Sequence, residues 1–317
     1  MTPQEPFFSR LVPKPRVKVF LIGGLGFIGK RFIRKFSETH EIIAFAPSQD
    51  IENAKKTIDL SKVSIEEGFV EDQNLGKIIE KHQPDVIIHL AALTGLVKCH
   101  KRPDEAFKIN VFGAYNVVNS CILSKAKLIF LSSREVYGET INQSSKEDDP
   151  LLPNNVYGIT KMIGENLVKF AGKKHDLDYT ILRLTNVYGP EGDQYGAEVI
   201  INKALKEKKI PLMGGSQRLN YVYVDDVVDV LNLVLDHPKS SKQIFNVGSK
   251  TTVSIEEFAN KVSQIIGPDV KIEKMPMRET ETSNFEPDLT KTEKELGFSA
   301  KTSLEQGIQK TIKWYSK

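Results

Sequence analysis

Five segments of the chain carry unbroken apolar runs: VKVFLI (17–22), EIIAFA (41–46), DVIIHLAA (85–92), KLIFLSS (127–133) and YTILRL (179–184). A strand with one wet face alternates apolar and polar residues. Runs without alternation therefore predict strands covered on both faces, as in a parallel sheet. The stretches between them carry helical spacing, near 27–38, 74–82, 103–124 and 155–173. Strand and helix alternating in this way predict an α/β fold on a doubly wound parallel sheet. Past NVYGP (186–190) the texture changes to short strands mixed with more charged helices such as 253–266 and 302–314. Two units are expected: 1–188, opening with a tail over 1–16, and a smaller α/β unit over 189–317, partly interleaved with the first. No internal repeat or low-complexity block interrupts the pattern.

Charge and composition narrow the partners. The 44 basic and 41 acidic residues leave a net charge of +3, so no polyanion partner is implied, and no basic tract with interleaved aromatics points to nucleic acid. No apolar run approaches the ~20 residues of a membrane span. The opening MTPQEPFFSRLVPKPR lacks the apolar core of a secretory signal. The expectation is a cytoplasmic protein that uses neither nucleic acid nor membrane. Cys99 and Cys121 have no metal-like spacing and are expected as reduced, buried thiols, with no metal site.

Three motifs carry chemistry. In GGLGFIG, Gly23, Gly26 and Gly29 are spaced GxxGxxG directly between the first strand and a helix. Glycines allow the tight turn and let backbone N–H groups and a helix N-terminus approach a pyrophosphate, which predicts a dinucleotide site that includes Phe27 and Ile28. The second strand ends in Ala46, where an acid that holds an adenosine ribose is expected. Asp50 can reach a ribose from the loop, whereas Ser48, Lys55 or Lys56 can accommodate a 2′-phosphate, so the residues leave NAD and NADP both open. In FLSSREVYG (130–138), Ser133 falls at the carboxyl end of a strand, where α/β ligands bind. In NNVYGITKMIGEN (154–166), Tyr157 and Lys161 lie four residues apart on one helix face.

Taken with HLAA (89–92), Asn110 of KINVFGAYNVV, RLTNVYGP (183–190), YVYVDDV (221–227), FNVGS (245–249) and KELGF (294–298), these motifs occur in a recognisable order. From about residue 17 to 316 the chain resembles the extended short-chain dehydrogenase/reductases of the nucleotide-sugar epimerase/dehydratase branch. The resemblance implies a Rossmann-type NAD(P)-binding domain over 1–188 and a substrate-binding domain over 189–317. It makes Tyr157 the general acid/base, with Lys161 lowering the phenol's pKa and bonding the nicotinamide ribose, and Ser133 bonding the reacting sugar oxygen. An unassisted phenol with a pKa near ~10 is a poor base at neutral pH, and a fixed cation beside it favours the phenolate. Val70, Leu90, Ala91, Ala92 and Asn110 are placed on the cofactor side. Thr94, Ser133, Arg134, Glu135, Asn186, Arg218 and Arg278 are placed on the side of a nucleotide-diphosphate sugar, with Asn186 matching an asparagine that contacts the diphosphate and Arg278 a phosphate-binding arginine. A homodimer through the helices near 103–124 and 155–173 is also implied, with Val111, Val117, Val118 and Ile122 as compatible apolar positions.

Departures from the family pattern refine the reading. Ile22 precedes the first glycine where threonine is frequent, and Phe69 stands where an aspartate commonly reads adenine. Leu219 replaces an arginine of the substrate segment, with Arg218 one residue off and hence on the opposite strand face. The 4,6-dehydratases follow their active-site hydroxyl with an Asp–Glu pair that drives elimination. This chain keeps Glu135 but has Arg134 in place of the aspartate, which removes the proton donor. The resemblance therefore implies a 4-epimerase of the UDP-glucose/UDP-galactose type, working through a 4-keto sugar with enzyme-bound NAD. The alternatives are an NADPH-dependent 4-keto-6-deoxysugar reductase, then a 4,6-dehydratase, and last a non-catalytic NADP-sensing module.

Overall fold

The unbroken apolar runs become strands because both of their faces meet helices. The structure is a computed structural model that describes residues 16–139, 144–192, 196–276 and 284–316. Its first half runs through β1 (Lys18–Ile22), α1 (Phe27–Phe36), β2 (Glu41–Ala46), α2 (Ser48–Lys55), β3 (Val63–Glu67), α3 (Leu75–His82) and β4 (Val86–His89). There follow α4 (Leu96–Lys101), α5 (Pro103–Phe107), a π-helical turn (Lys108–Phe112), α6 (Gly113–Ser124), β5 (Lys127–Ser133), α7 (Val156–His175) and β6 (Tyr179–Leu184). The remaining chain forms β7 (Asn186–Tyr188), α8 (Ala197–Glu207), β8 (Lys209–Met213), β9 (Arg218–Tyr223), α9 (Val224–Val234) and β10 (Gln243–Val247). It closes with β11 (Thr252–Ser254), α10 (Ile255–Ile266), β12 (Lys271–Met275), α11 (Thr290–Leu296) and α12 (Leu304–Tyr315).

Seven strands form one parallel sheet in the order β10-β6-β5-β4-β1-β2-β3. Along β1, Val19 and Leu21 join a core with Phe32 and Ile33 of α1 and Val227 and Leu231 of α9. Phe20 and Ile22 face the opposite way, into a core with Val117 and Cys121 of α6 and Val168 of α7. The doubly wound parallel sheet expected from the sequence is the one observed. β10 comes from beyond residue 189 yet extends this sheet beside β6, in register from Gln243 opposite Thr180. The other late strands build a β11-β9-β7 sheet and a β12-β8 pair around a third core that includes Tyr188, Ile201, Tyr223, Phe258 and Ile308. Among the described residues, no helix is long and apolar enough to cross a membrane.

Two elements differ from the periodicity. The run 85–92 is a strand only to His89, because the N–H groups of Leu90 and Ala91 both turn onto the Ile22 carbonyl, at 2.8 and 2.9 Å. The long helix over 103–124 contains a π-helical turn at its centre, which presents Asn110 inward. The first departure ends β4 beside β1, where the strand order reverses, and Asn110 ties the second to the loop that follows β4. From β1 it winds outward through β2 and β3, then crosses to β4 and winds the other way. The crevice outside the strand ends at such a reversal is the ligand position of doubly wound sheets.

Candidate active site

A cavity of about 820 Å³ occupies that crevice, a size ordinary for a small-molecule site. Its floor is the turn between β1 and α1. Gly23 adopts φ +77°, and a Cβ there would lie 2.7 Å from the Ala91 nitrogen, so the glycine turn and the HLAA segment pack backbone against backbone. α1 starts at Gly26 without a side-chain cap and without an acid in its first turn, leaving its first N–H groups to a ligand. A Cβ on Gly26 would meet only the Gly23 carbonyl, at 3.3 Å, and would otherwise stand in the cavity. Such a cradle fits the pyrophosphate of a dinucleotide. Phe27, Ile28, Gly29, Asp50, Val70, Leu90, Ala91 and Ala92 line the same cavity. Burial raises the carboxyl pKa of Asp50, and Lys30 acts against that rise.

At the other end, Ser133 closes β5, and Tyr157 and Lys161 project from the first turns of α7 into the same space. Lys161 Nζ donates to the Leu131 carbonyl at 2.8 Å and stands 5.9 Å from the centre of the Tyr157 ring. Burial pushes the ammonium down to about 8, with Cys99 and Glu165 acting in the opposite direction. The start of α7 is fixed by Asn155, whose side chain accepts from Gly158 N at 2.8 Å and donates to Glu135 Oε2 at 2.8 Å. Glu135 Oε1 in turn takes Arg134 Nη2 at 2.7 Å. The REV turn after β5 is thereby tied to the helix that carries Tyr157, and the Ser133 hydroxyl caps that turn by accepting from Glu135 N at 3.2 Å. Sequence reading missed the role of Asn155, although an Asn at the head of a periodic run is a cap signal.

Thr94, Arg134, Glu135 and Asn186 also line the cavity. Four expected contacts do not stand there as expected. Asn110 is behind the wall: its Oδ1 accepts from Leu93 N at 2.7 Å and its Nδ2 donates to Thr160 Oγ1 at 3.0 Å, so it ties the loop after β4 to α7. Ser48 is exposed at the start of α2, and Lys55 turns to Glu52 at 2.7 Å at that helix's far end. Arg218 points outward, donating to the Thr252 carbonyl at 2.8 Å, while its neighbour Leu219 lines the cavity. The alternation of a strand decides this, and it also brings Tyr221 to the cavity. Arg278 lies outside the described residues. Of the dimer positions, Val117 and Val118 are buried in the chain's own core. Phe69, Thr185 and Glu191 line the cavity without having been singled out as contacts.

Residues 19–248 match the model of a family described as the NAD dependent epimerase/dehydratase family. A UDP-N-acetyl-alpha-D-glucosaminuronate decarboxylase of Bacillus cytotoxicus is 28% identical, over 94% of this chain and 97% of its own. A putative UDP-glucose 4-epimerase of Methanocaldococcus jannaschii is 28% identical, over 93% of this chain and 97% of its own. A UDP-glucose 4-epimerase of Thermotoga maritima, solved with UDP-glucose, superposes with a TM-score of 0.86 at 26% identity, covering 94% of this chain and 98% of that one. The glycine cradle at the strand reversal is what a bound dinucleotide requires, and the family match spans most of the chain around it: the protein belongs to the NAD-dependent epimerase/dehydratase enzymes, and its cofactor is NAD.

Proposed function

We propose that this chain is a nucleotide-sugar 4-epimerase of the UDP-glucose/UDP-galactose type, working through a transient 4-keto sugar. Ser133, Tyr157 and Lys161 share one cavity with the glycine cradle, and that observation carries the reading. Bound NAD supplies the hydride acceptor and donor. Tyr157 takes the proton of the sugar 4-hydroxyl and returns it, Ser133 hydrogen-bonds the same oxygen, and Lys161 holds a positive charge beside the phenol. Asn186, whose amide donates to the Asn220 carbonyl at 2.8 Å, faces the cavity where the diphosphate is expected.

The pairing of Arg134 with Glu135 favours epimerisation over 4,6-elimination. Elimination needs an acid to protonate the leaving hydroxyl, and position 134 holds a permanent cation instead. The enzyme is further proposed to be a homodimer through the helices near 103–124 and 155–173. Incubation with UDP-galactose, with chromatography of the products and cofactor assay after denaturation, tests the reading. UDP-glucose as product and stoichiometric NAD are expected. A 4-keto-6-deoxysugar as sole product would replace the reading with dehydration.

A further inference from the structure

Two side chains of the cavity wall carry polar atoms that the described residues do not satisfy. Arg134 is 5% exposed and Thr185 is 6% exposed, and both line the cavity. Arg134 Nη1 and Thr185 Oγ1 have no hydrogen-bond partner among the described residues. Buried polar groups in native proteins nearly always find partners, and a charged donor is the most expensive to leave alone. Two such atoms on the wall of a ligand cavity point to a ligand that completes them.

Sheet register explains why they occur together. Ser133 of β5 stands opposite Leu184 of β6, so Arg134 and Thr185 are the next residues beyond the carboxyl ends of adjacent strands. The guanidinium is held from two directions: Nη2 donates to Glu135 Oε1 at 2.7 Å, and Cζ lies 5.4 Å from the centre of the Phe285 ring. Glu135 is itself anchored by Asn155 at 2.8 Å. A fork fixed in this way, with one nitrogen unused, suits a charged planar acceptor better than a single hydroxyl. The threonine hydroxyl supplies a further donor for a second oxygen.

We infer that Arg134 and Thr185 read a carboxylate on the sugar, so that the preferred substrates are nucleotide-diphosphate hexuronates. The inference rests on the 4-epimerase reading of Ser133 and Tyr157. If Ser133 meets the oxygen on C4, the next residue, one Cα step of about 3.8 Å away, faces a substituent on a neighbouring carbon. The carbons beside C4 are C3, which carries a lone hydroxyl, and C5, which carries a hydroxymethyl group in hexoses and a carboxylate in hexuronates. Only the carboxylate offers the two charged oxygens that the guanidinium and the hydroxyl together suit. The diphosphate is attached at C1, across the ring.

Calorimetric titration of the NAD-loaded protein with UDP-glucuronate and with UDP-glucose tests this, alongside turnover of each. Wild type is expected to bind UDP-glucuronate tighter by about tenfold or more, the scale of a charge-assisted hydrogen bond. Arg134→Met is expected to abolish that ratio, and Arg134→Lys and Thr185→Val to reduce it, with melting temperatures recorded for each. If Arg134→Met does not fold, the wild-type ratio and the other two variants still decide. Equal wild-type affinities together with epimerisation of UDP-glucose would overturn the hexuronate inference and leave the 4-epimerase reading standing. Parallel loss of both ligands in Arg134→Met would make Arg134 a structural residue and overturn the inference as well. Failure of wild type to bind or convert either sugar nucleotide would overturn both.

Discussion

At the scale of single residues, Tyr157 and Lys161 separate chemistry from stability. Tyr157→Phe keeps the packed ring and removes the hydroxyl proposed to relay the proton. Turnover is expected to fall by ~10²–10⁴-fold, with nucleotide-sugar affinity nearly unchanged; steady-state rates and a binding titration check this, and activity within a factor of two of wild type would remove Tyr157 from the mechanism. Lys161 makes the opposite trade. In the unfolded chain its amine stays protonated up to the ordinary 10.5, but in the folded protein burial lowers this to about 8. Between those values the unfolded state binds more protons, so this group makes stability rise with pH there, and the full cost of the buried ammonium is present below about 8. Lys161→Met is therefore expected to melt higher than wild type at neutral pH, with the gap narrowing as pH rises toward 10.5, and to lose turnover. Calorimetric scans across that range measure it. A variant that melts lower at neutral pH would mean that the Leu131 hydrogen bond outweighs the burial cost.

At the scale of elements, α6 and α7 do two jobs. Their inner faces cover the sheet with Val117, Val118, Cys121 and Val168. Their outer side, with the π-helical turn that leads into α6, leaves Phe112 62%, Leu123 81% and Phe170 59% exposed, together with Tyr115. Large apolar side chains clustered on neighbouring helices are expensive to hold in water, and such patches mark interaction surfaces. Of the apolar positions expected at an interface, Val117 and Val118 are buried in the chain's own core and Ile122 packs against it, because sequence periodicity does not tell a core face from a partner face. The prediction is a dimer at micromolar concentration by sedimentation, with Phe112→Glu combined with Phe170→Glu shifting it to monomer without loss of fold by circular dichroism. A wild type that sediments only as a monomer would refute it.

At the scale of the whole molecule, one buried network joins the strands beneath the site. Arg183 of β6 donates to Glu165 of α7 through Nε at 2.9 Å and Nη2 at 2.7 Å, while Ser132 of β5 donates to the same carboxylate at 2.6 Å. Arg183 Nη1 reaches the Tyr137 hydroxyl and the Glu147 carbonyl, both at 2.8 Å, and Tyr137 donates to Asn246 of β10 at 2.7 Å. β10 is thus locked to the segments on either side of the REV turn after β5. Both members of the ion pair are almost fully buried. Removing one partner leaves a charge unpaired in the interior, and Glu165→Ala is expected to cost about 3–5 kcal/mol. Denaturant unfolding would measure this, and a loss below about 1 kcal/mol would show that water or a neighbour takes over the pairing.

The sequence by itself determined the doubly wound sheet, because runs such as EIIAFA and KLIFLSS have no wet face and must be covered on both sides. Local pattern also marked the glycine turn and put Ser133 at a strand end and Tyr157 and Lys161 on one helix face. Grouping the three as one set came from the family resemblance, and the fold brings them to one cavity. β3 and β10 escaped that reading: one is an edge strand with half-exposed residues, and the other is a short run far along the chain whose partner is β6. Which side of a strand or helix meets the cavity was decided only by tertiary structure. Leu219 rather than Arg218 faces it, and Asn110 braces the wall instead of touching the ligand space. The unsatisfied nitrogen of Arg134 belongs to the same class, because a missing partner is a property of everything packed around a side chain and of no local stretch of sequence.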